Sequence, residues 1–176
     1  MTSELPFSRI HSVSDVPSAG STVSLVATPE ERAALARAFG LPEIRRLEAA
    51  LDLKPWGREG LSVTGEVSAE VVQACVVTLE PFASEVREEV DVRYAADEQG
   101  PETGGEHEAD LDAPDLLVNG TADLGALVAE YLVLGLDPHP RKPGVAAPAE
   151  GESPEGTHRP FAGLDALVAA AGKKKT

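Results

Sequence analysis

One cysteine and four histidines are the most reactive side chains of this sequence, and their spacing fits neither a metal site nor a nucleophile. The histidines are scattered at positions 11, 107, 139 and 158, while a structural zinc site normally needs four ligands at close spacing. Cys75 lies in the run Val-Val-Gln-Ala-Cys-Val-Val, which is typical of a strand interior and offers no neighbouring base to lower a thiol pKa. We therefore predict no catalytic residue, no metal and no cofactor, and interpret Cys75 as a small buried hydrophobe.

Two carboxylates and one basic segment are candidates for binding a partner. Asp123 and Glu130 are seven residues apart in a stretch with helical periodicity, so they share one side of a helix. They could form an acidic pair for a partner, but capping by Asp123 with a solvated Glu130 is the favoured interpretation. The basic segment, residues 137–144, has prolines that would hold Arg141 and Lys142 on an extended strand suited to phosphate or an acidic partner. A helix stop followed by a solvated linker explains the same composition.

The elements that must position these residues begin with a helix. Thr28 can act as its cap, Pro29 suits the first helical position, and Glu31 completes a capping box. The helix is predicted to end at Gly40. A short alternating strand, residues 22–27, precedes it.

Four alternating or β-branched runs predict a sheet. They cover residues 47–53, 61–71, 72–79 and 85–94, and a glycine-containing turn at 55–60 joins the first two. A second helix is predicted from Asp123 to Leu134 on its apolar stripe. The fold class is therefore α+β, an antiparallel β-meander of about four to six strands packed with two to three helices.

Charge and composition divide the chain further. The net charge is −15, and residues 84–115 hold twelve acids against Arg87 and Arg93. We predict a single domain over residues 1–140 with a disordered acidic loop insertion at 96–114, a flexible Pro/Gly-rich C-terminal linker at 141–160, and a short amphipathic segment with a basic tail at 161–176.

Composition also excludes classes of function. No run approaches the roughly 18 apolar residues of a membrane span, and the start lacks the layout of a secretory signal. With a single cysteine, this favours the cytoplasm and no membrane partner. General duplex binding needs a basic face, so DNA is not an expected partner of so acidic a chain.

Several stretches, taken in order, resemble one family. They are Gln73-Ala74-Cys75-Val76-Val77-Thr78-Leu79-Glu80-Pro81-Phe82, then residues 122–132 running into 136–144, then Arg159-Pro160-Phe161-Ala162-Gly163-Leu164 near a basic end. Together they resemble the YceD proteins, also called large ribosomal RNA subunit accumulation proteins. The resemblance extends from about Leu5 to Lys175, leaving out the acidic insertion and the proline-rich linker.

The resemblance implies a cytoplasmic factor needed for normal synthesis, processing or accumulation of large-subunit (23S) ribosomal RNA, with no enzymatic activity established. Some relatives carry C-x-x-C where this chain has Cys75 and Thr78, so a metal site suspected in them should be absent here. Glu80, Pro81 and Phe82 are interpreted as the turn between the third and fourth strands. Residues of the family pattern become candidates for partner binding: Cys75, Glu80, Pro81, Phe82, Asp123, Leu124, Glu130, Pro138 and Pro140.

Three functional hypotheses follow. The first is a non-catalytic assembly factor that binds the large-subunit rRNA precursor or a basic large-subunit ribosomal protein, with Arg141, Lys142, Lys173, Lys174 and Lys175 as candidates for RNA contact. The second is an acidic, chaperone-like module in which residues 84–115 hold a basic ribosomal protein. The third, an rRNA-processing nuclease, is disfavoured because the acids are densest where the chain has least pattern. The sequence leaves the oligomeric state open.

Overall fold

The computed structural model of the chain describes residues 6–96 and 114–145. Their elements, in chain order, are β1 (Ile10–Ser12), β2 (Ser21–Val26), α1 (Pro29–Phe39), β3 (Glu43–Trp56), β4 (Gly60–Ala74), β5 (Pro81–Ala95), β6 (Asp115–Leu116), β7 (Thr121–Asp123) and α2 (Leu124–Leu134). A single 3₁₀ turn, Val13–Asp15, follows β1. The predicted α+β class is confirmed.

The main sheet has five strands in the order β2-β3-β4-β5-β6. The first four pair antiparallel with their neighbours in sequence, and β6 adds a short parallel pairing to the end of β5. Strands β1 and β7 form a separate two-stranded sheet. The predicted meander is therefore present, with central strands of 14 and 15 residues that are longer than the runs suggested.

Alternation along the long strands puts apolar side chains on one face of the sheet, where both helices cover them. Helix α1 packs against β3, and α2 packs against β4 and β5. The largest fully buried side chains are Phe7, Leu35, Leu47, Leu51, Leu53, Leu61, Leu124, Leu132, Val63, Val67, Val71 and Val128. Burial of such side chains contributes about 1.5–3 kcal/mol each and is the main force holding the helices to the sheet.

The start of α1 matches its sequence closely. The Thr28 hydroxyl accepts from the Glu31 N–H, and the Glu31 carboxylate accepts from the Thr28 N–H, so both halves of the capping box form. Gly40 ends the helix in the left-handed conformation. Neither helix of the described residues, at eleven residues each, has the length and apolar character to cross a membrane.

The predicted strand at 72–79 is wrong. Residues up to Ala74 continue β4, and the chain then leaves the sheet in a turn before β5 begins at Pro81. Pro81 and Phe82 accordingly open a strand and do not form the turn predicted for them, because they pair with Ala74 and Gln73. Residues 97–113 of the predicted insertion, the linker beyond residue 145 and the segment at 161–176 lie outside the described residues.

Candidate functional site

The turn between β4 and β5 is closed by its own backbone. The N–H of Leu79 donates to the carbonyl of Cys75 at 2.8 Å, and the N–H of Cys75 donates to the carbonyl of Glu80 at 2.9 Å. Leu79 adopts a φ of 60°, which is rare for a branched side chain that is not asparagine or aspartate. The turn is therefore held in a specific conformation although it contains neither glycine nor proline.

Residues 137–142, which follow α2, lie against this turn. The N–H of Val76 donates to the carbonyl of Pro140 at 2.9 Å. Buried Gln73 donates through Nε2 to the carbonyl of Asp137 at 3.0 Å, and Lys142 Nζ lies 2.8 Å from the Glu80 carboxylate. We call residues 75–80 together with 137–142 the turn platform.

The Cys75 side chain lies inside the turn platform and is fully buried. The N–H of Lys142, then the hydroxyl and N–H of Thr78, and finally the N–H of Val77 point to its sulfur and lower the pKa of the thiol to about 6. These donors stabilise the thiolate more than burial opposes it. The prediction of a buried cysteine is confirmed, but its surroundings are polar and not those of a hydrophobe in a strand.

Replacing Thr78 by valine is expected to raise the titration midpoint of Cys75 from about 6 toward the ordinary thiol value of about 8.5. The folded thiol has the lower pKa, so the unfolded chain holds an extra proton between these values, and folding stability rises with pH across that window. Thiolate absorbance measured against pH reports the change, since the chain has one cysteine. Thr78→Ser keeps the hydroxyl and serves as control, and an unmoved midpoint in Thr78→Val would contradict the assigned hydrogen bonds.

The outer surface of the turn platform combines apolar and charged groups. Leu79 is 78% exposed and Val76 is 45% exposed. The Lys142–Glu80 pair lies beside them, and Arg141 is also exposed. Within this pair Lys142 lowers the pKa of Glu80, and Glu80 raises the pKa of Lys142. This combination of exposed apolar and charged groups makes the turn platform a candidate contact surface for another macromolecule.

Asp123, a residue of the family pattern, caps the start of α2. The Asp123 carboxylate accepts from the N–H groups of Gly125 and Ala126 as the helix cap, and from the N–H of Arg9 and the hydroxyl of Ser8. Burial alone would raise the pKa of Asp123, but these four hydrogen bonds outweigh it and the pKa is lowered. The predicted cap is confirmed, and Asp123 in addition joins the N-terminal segment to α2, which the sequence did not predict.

Leu124 and Glu130 differ in exposure. Leu124 is in the core, whereas Glu130 is exposed at the rim of a groove of about 400 Å³ lined by Phe39, Ala129, Val133 and Leu134. Desolvation, followed by the charges of Asp115 and Asp123, raises the pKa of Glu130. The Asp123 carboxylate is therefore engaged by hydrogen bonds of the fold, whereas the Glu130 side chain is exposed beside the groove.

The structure thus gathers some of the candidates and separates others. Cys75, Glu80, Pro138, Pro140 and Lys142 meet in the turn platform, with Pro81 and Phe82 at the start of the adjacent strand. Leu124 and Glu130 lie on α2, with Asp123 as its N-cap at the end of β7. Lys173, Lys174 and Lys175 fall outside the described residues. Lys142 already has a partner in Glu80, which leaves Arg141 as the more available cation of the two.

Two residues at the platform were not predicted as site residues. Gln73 connects Ser84, which donates to its Oε1 at 3.1 Å, to the segment after α2. Leu79 is the most exposed large apolar side chain among the described residues. Gln73 could have been found as an amide within a run of buried aliphatic residues, whereas no sequence pattern marks Leu79.

A comparison with protein families settles the relationship of the chain. The family model described as large ribosomal RNA subunit accumulation protein YceD matches residues 63–167. The chain belongs to the YceD family. No curated protein and no solved structure matches it.

The YceD match contains most of β4, all of β5 and α2, and the whole turn platform. It starts later in the chain than the resemblance predicted. The family description supports a role in large-subunit rRNA accumulation. In the described residues no group of three His, Cys, Asp or Glu side chains is placed to hold a metal ion.

Proposed function

We propose that this YceD-family protein is a non-catalytic cytoplasmic factor that supports synthesis, processing or accumulation of 23S rRNA by binding the rRNA precursor or a large-subunit ribosomal protein. The observation that carries the proposal is the turn platform. Two stretches of the family pattern, separated by more than fifty residues, meet there in a hydrogen-bonded surface with exposed Leu79 at its tip.

The carboxylates of the family pattern are occupied by contacts within the protein, which supports a binding role over a catalytic one. The Asp123 carboxylate accepts four hydrogen bonds from the protein itself, and the Glu80 carboxylate is paired with Lys142. General acid–base catalysis needs a group within reach of a substrate proton. Side chains whose polar atoms hold the fold together are better suited to shaping a surface than to moving protons.

The test uses two leucines of similar exposure on different surfaces. Leu79 and Leu134 are 78% and 74% exposed, so aspartate at either position should leave folding intact, and the left-handed backbone at residue 79 tolerates aspartate well. In cells that lack the native protein, the ratio of 23S to 16S rRNA and recovery of the protein with large-subunit precursors are measured. We expect Leu79→Asp to lose both and Leu134→Asp to retain both.

The reverse pattern would place the partner surface elsewhere than on the turn platform. Normal rRNA ratios in cells without the protein would overturn the proposed function as a whole. Cleavage of precursor rRNA by the purified protein in magnesium would replace the binding role with a nuclease.

A second candidate, an acidic module for a basic ribosomal protein, has an observation of its own. On the solvent face of the sheet Glu66 lies directly opposite Glu89, and Glu70 lies opposite Glu85. Like charges at this cross-strand spacing of about 5 Å are destabilising, and a cationic partner would relieve their repulsion. Arg45 and Arg87 neutralise Glu70 and Glu85 in part.

Deletion of residues 97–112 separates the two candidates. Loss of ribosomal-protein capture with retained RNA association would favour the acidic module. Unchanged capture together with impaired function of Leu79→Asp would favour the turn platform.

A further inference from the structure

At the end of the sheet farthest from the turn platform, the β3–β4 hairpin presents an exposed aromatic ring. Trp56 is the last residue of β3, is 37% exposed, and is the one tryptophan of the chain. Its ring lies over Gly60, where a Cβ atom would come within 2.9 Å of Trp56 Cε3. Such a Cβ atom would also come within 2.6 Å of the Trp56 and Tyr94 carbonyl oxygens, so both the backbone and the ring approach Gly60 closely.

Cationic side chains lie beside Trp56 in the sheet and in the turn that follows it. Lys54, Ser62 and Arg93 form one row across β3, β4 and β5. The Arg93 guanidinium lies 6.0 Å from the centre of the Trp56 ring, and Arg58 is exposed in the turn. We call Lys54, Trp56, Arg58 and Arg93 the hairpin tip.

The pairing of these cations differs from that of most others in the described chain. Salt bridges engage Arg9, Arg45, Arg46, Arg87 and Lys142. Within the described residues Lys54 and Arg58 have no carboxylate within salt-bridge distance. A ligand with negative charge could bind them without first breaking an internal ion pair.

Clefts on both sides of the turn extend this surface. Arg58 and Glu59 line a cleft of about 180 Å³ with Trp56 and a cleft of about 520 Å³ with Ser12, Ser14 and Asn119. Hydroxyl and amide groups are ordinary donors to phosphate and sugar oxygens. A flexible strand that crosses the turn would meet an aromatic face, a guanidinium and then polar side chains.

We propose that the hairpin tip binds a short single-stranded segment of RNA, with Trp56 stacking on a base and Lys54, Arg58 and Arg93 contacting phosphates. The proposal rests on the proposed function and adds to the turn platform a second contact surface, specific for RNA, at the other end of β4. One aromatic platform with a few cations is the pattern of single-strand binding, whereas a duplex needs a broad basic face. A footprint this small is compatible with a chain of net charge −15.

The experiment uses Trp56 as its own reporter. Full-length protein is titrated with a single-stranded uridine oligoribonucleotide at several salt concentrations while tryptophan fluorescence is recorded. We expect quenching on binding, because the sole tryptophan would stack on the RNA. Lys54→Ala/Arg58→Ala should lower the slope of log affinity against log salt by about 1.4, since each single-strand phosphate that the protein neutralises adds about 0.7 to that slope.

Two further variants complete the design, with affinity measured by anisotropy of labelled RNA. Trp56→Leu should weaken binding about tenfold or more, the effect of losing one stacked base. Arg37→Ala removes an exposed cation of α1, the helix that packs on the opposite face of the sheet from the hairpin tip, and should leave affinity unchanged. Thermal unfolding of each variant verifies that the fold is retained.

The outcomes separate this proposal from the function on which it rests. RNA binding without tryptophan quenching, or with an unchanged salt slope in the double variant, would overturn the hairpin tip as the site. Equal quenching by polyglutamate would assign it to an acidic protein instead. Absence of RNA binding by a protein still recovered with large-subunit precursors would refute the tip and leave the proposed function standing.

Discussion

Replacing Asp123 by alanine is expected to lower the free energy of unfolding by about 2–4 kcal/mol, whereas asparagine should cost about 1 kcal/mol. Alanine removes the acceptor for the Gly125 and Ala126 N–H groups at the helix start and for the Arg9 N–H of the N-terminal segment. Asparagine keeps the oxygen that these three groups share and loses the one that accepts from Ser8. Urea unfolding of both variants measures the difference.

The same hydrogen bonds make the contribution of Asp123 depend on pH. Its pKa in the folded protein is lowered, so its stabilising effect is present above the unfolded value of about 3.9 and is lost as the pH falls through the folded value. The gap in unfolding free energy between the native protein and Asp123→Asn should therefore be widest near neutral pH and narrow in acid.

Asp52→Ala provides the control for this series. Asp52 is exposed and accepts from the Thr22 hydroxyl at 2.6 Å across neighbouring strands, so its removal should change stability by about 0.5 kcal/mol or less. If Asp123→Ala cost no more than Asp52→Ala, the aspartate of the family pattern would have a role outside the fold. Retained binding of precursor particles by Asp123→Asn would confirm that its role is structural.

Local rules are sufficient where the residues that define an element are neighbours in sequence. The capping box of Thr28 and Glu31, the end of α1 at Gly40 and the cap at Asp123 each depend on contacts within four residues. Alternation of leucine and valine likewise predicts the buried face of β3 and β4. These parts of the fold can be predicted correctly from the sequence.

The end of β4 could not be predicted on this basis. Its β-branched residues favour a strand through Val76 and Val77, and the turn that interrupts them contains no glycine, proline or asparagine. A tertiary contact contributes to ending the strand, since the Val76 N–H bonds to Pro140 and not to a sheet neighbour. The partner is 64 positions away, and no periodicity encodes such a pairing.

In the candidate sites, too, contacts between residues that are neighbours in sequence can be predicted and contacts between distant residues cannot. Arg141 and Lys142 form a basic pair in the sequence, but the carboxylate that holds Lys142 belongs to a distant turn. The sequence predicts only a turn around Trp56, because the row that connects Lys54 to Arg93 exists only once three strands are in register. Surfaces formed by cross-strand neighbours cannot be predicted from the sequence until the register of the strands is known.

Gly65→Ala is expected to lower the free energy of unfolding by about 3–5 kcal/mol, since overpacking and a strained backbone each cost about 1–3 kcal/mol. Gly65 lies at the centre of β4, opposite Leu51 on one side and Val90 on the other. Its φ is 151°, and a Cβ atom there would come within 2.1 Å of the Ala50 carbonyl oxygen. Both the backbone angle and the close approach exclude a side chain, and chemical unfolding measures the cost.

Gly57→Ala is the control that separates backbone strain from the steric clash expected at Gly65. Gly57 also has a positive φ, 61°, but a Cβ atom there meets nothing within 4 Å, so its cost should be limited to about 1 kcal/mol of backbone strain. Equal costs at the two positions would contradict the close approach of β3 and β4. Strand β4 connects the hairpin tip to the turn platform over roughly 45–50 Å. Displacement of the strand at residue 65 should therefore disturb both ends. We expect Gly65→Ala to alter both the fluorescence of Trp56 and the titration midpoint of Cys75.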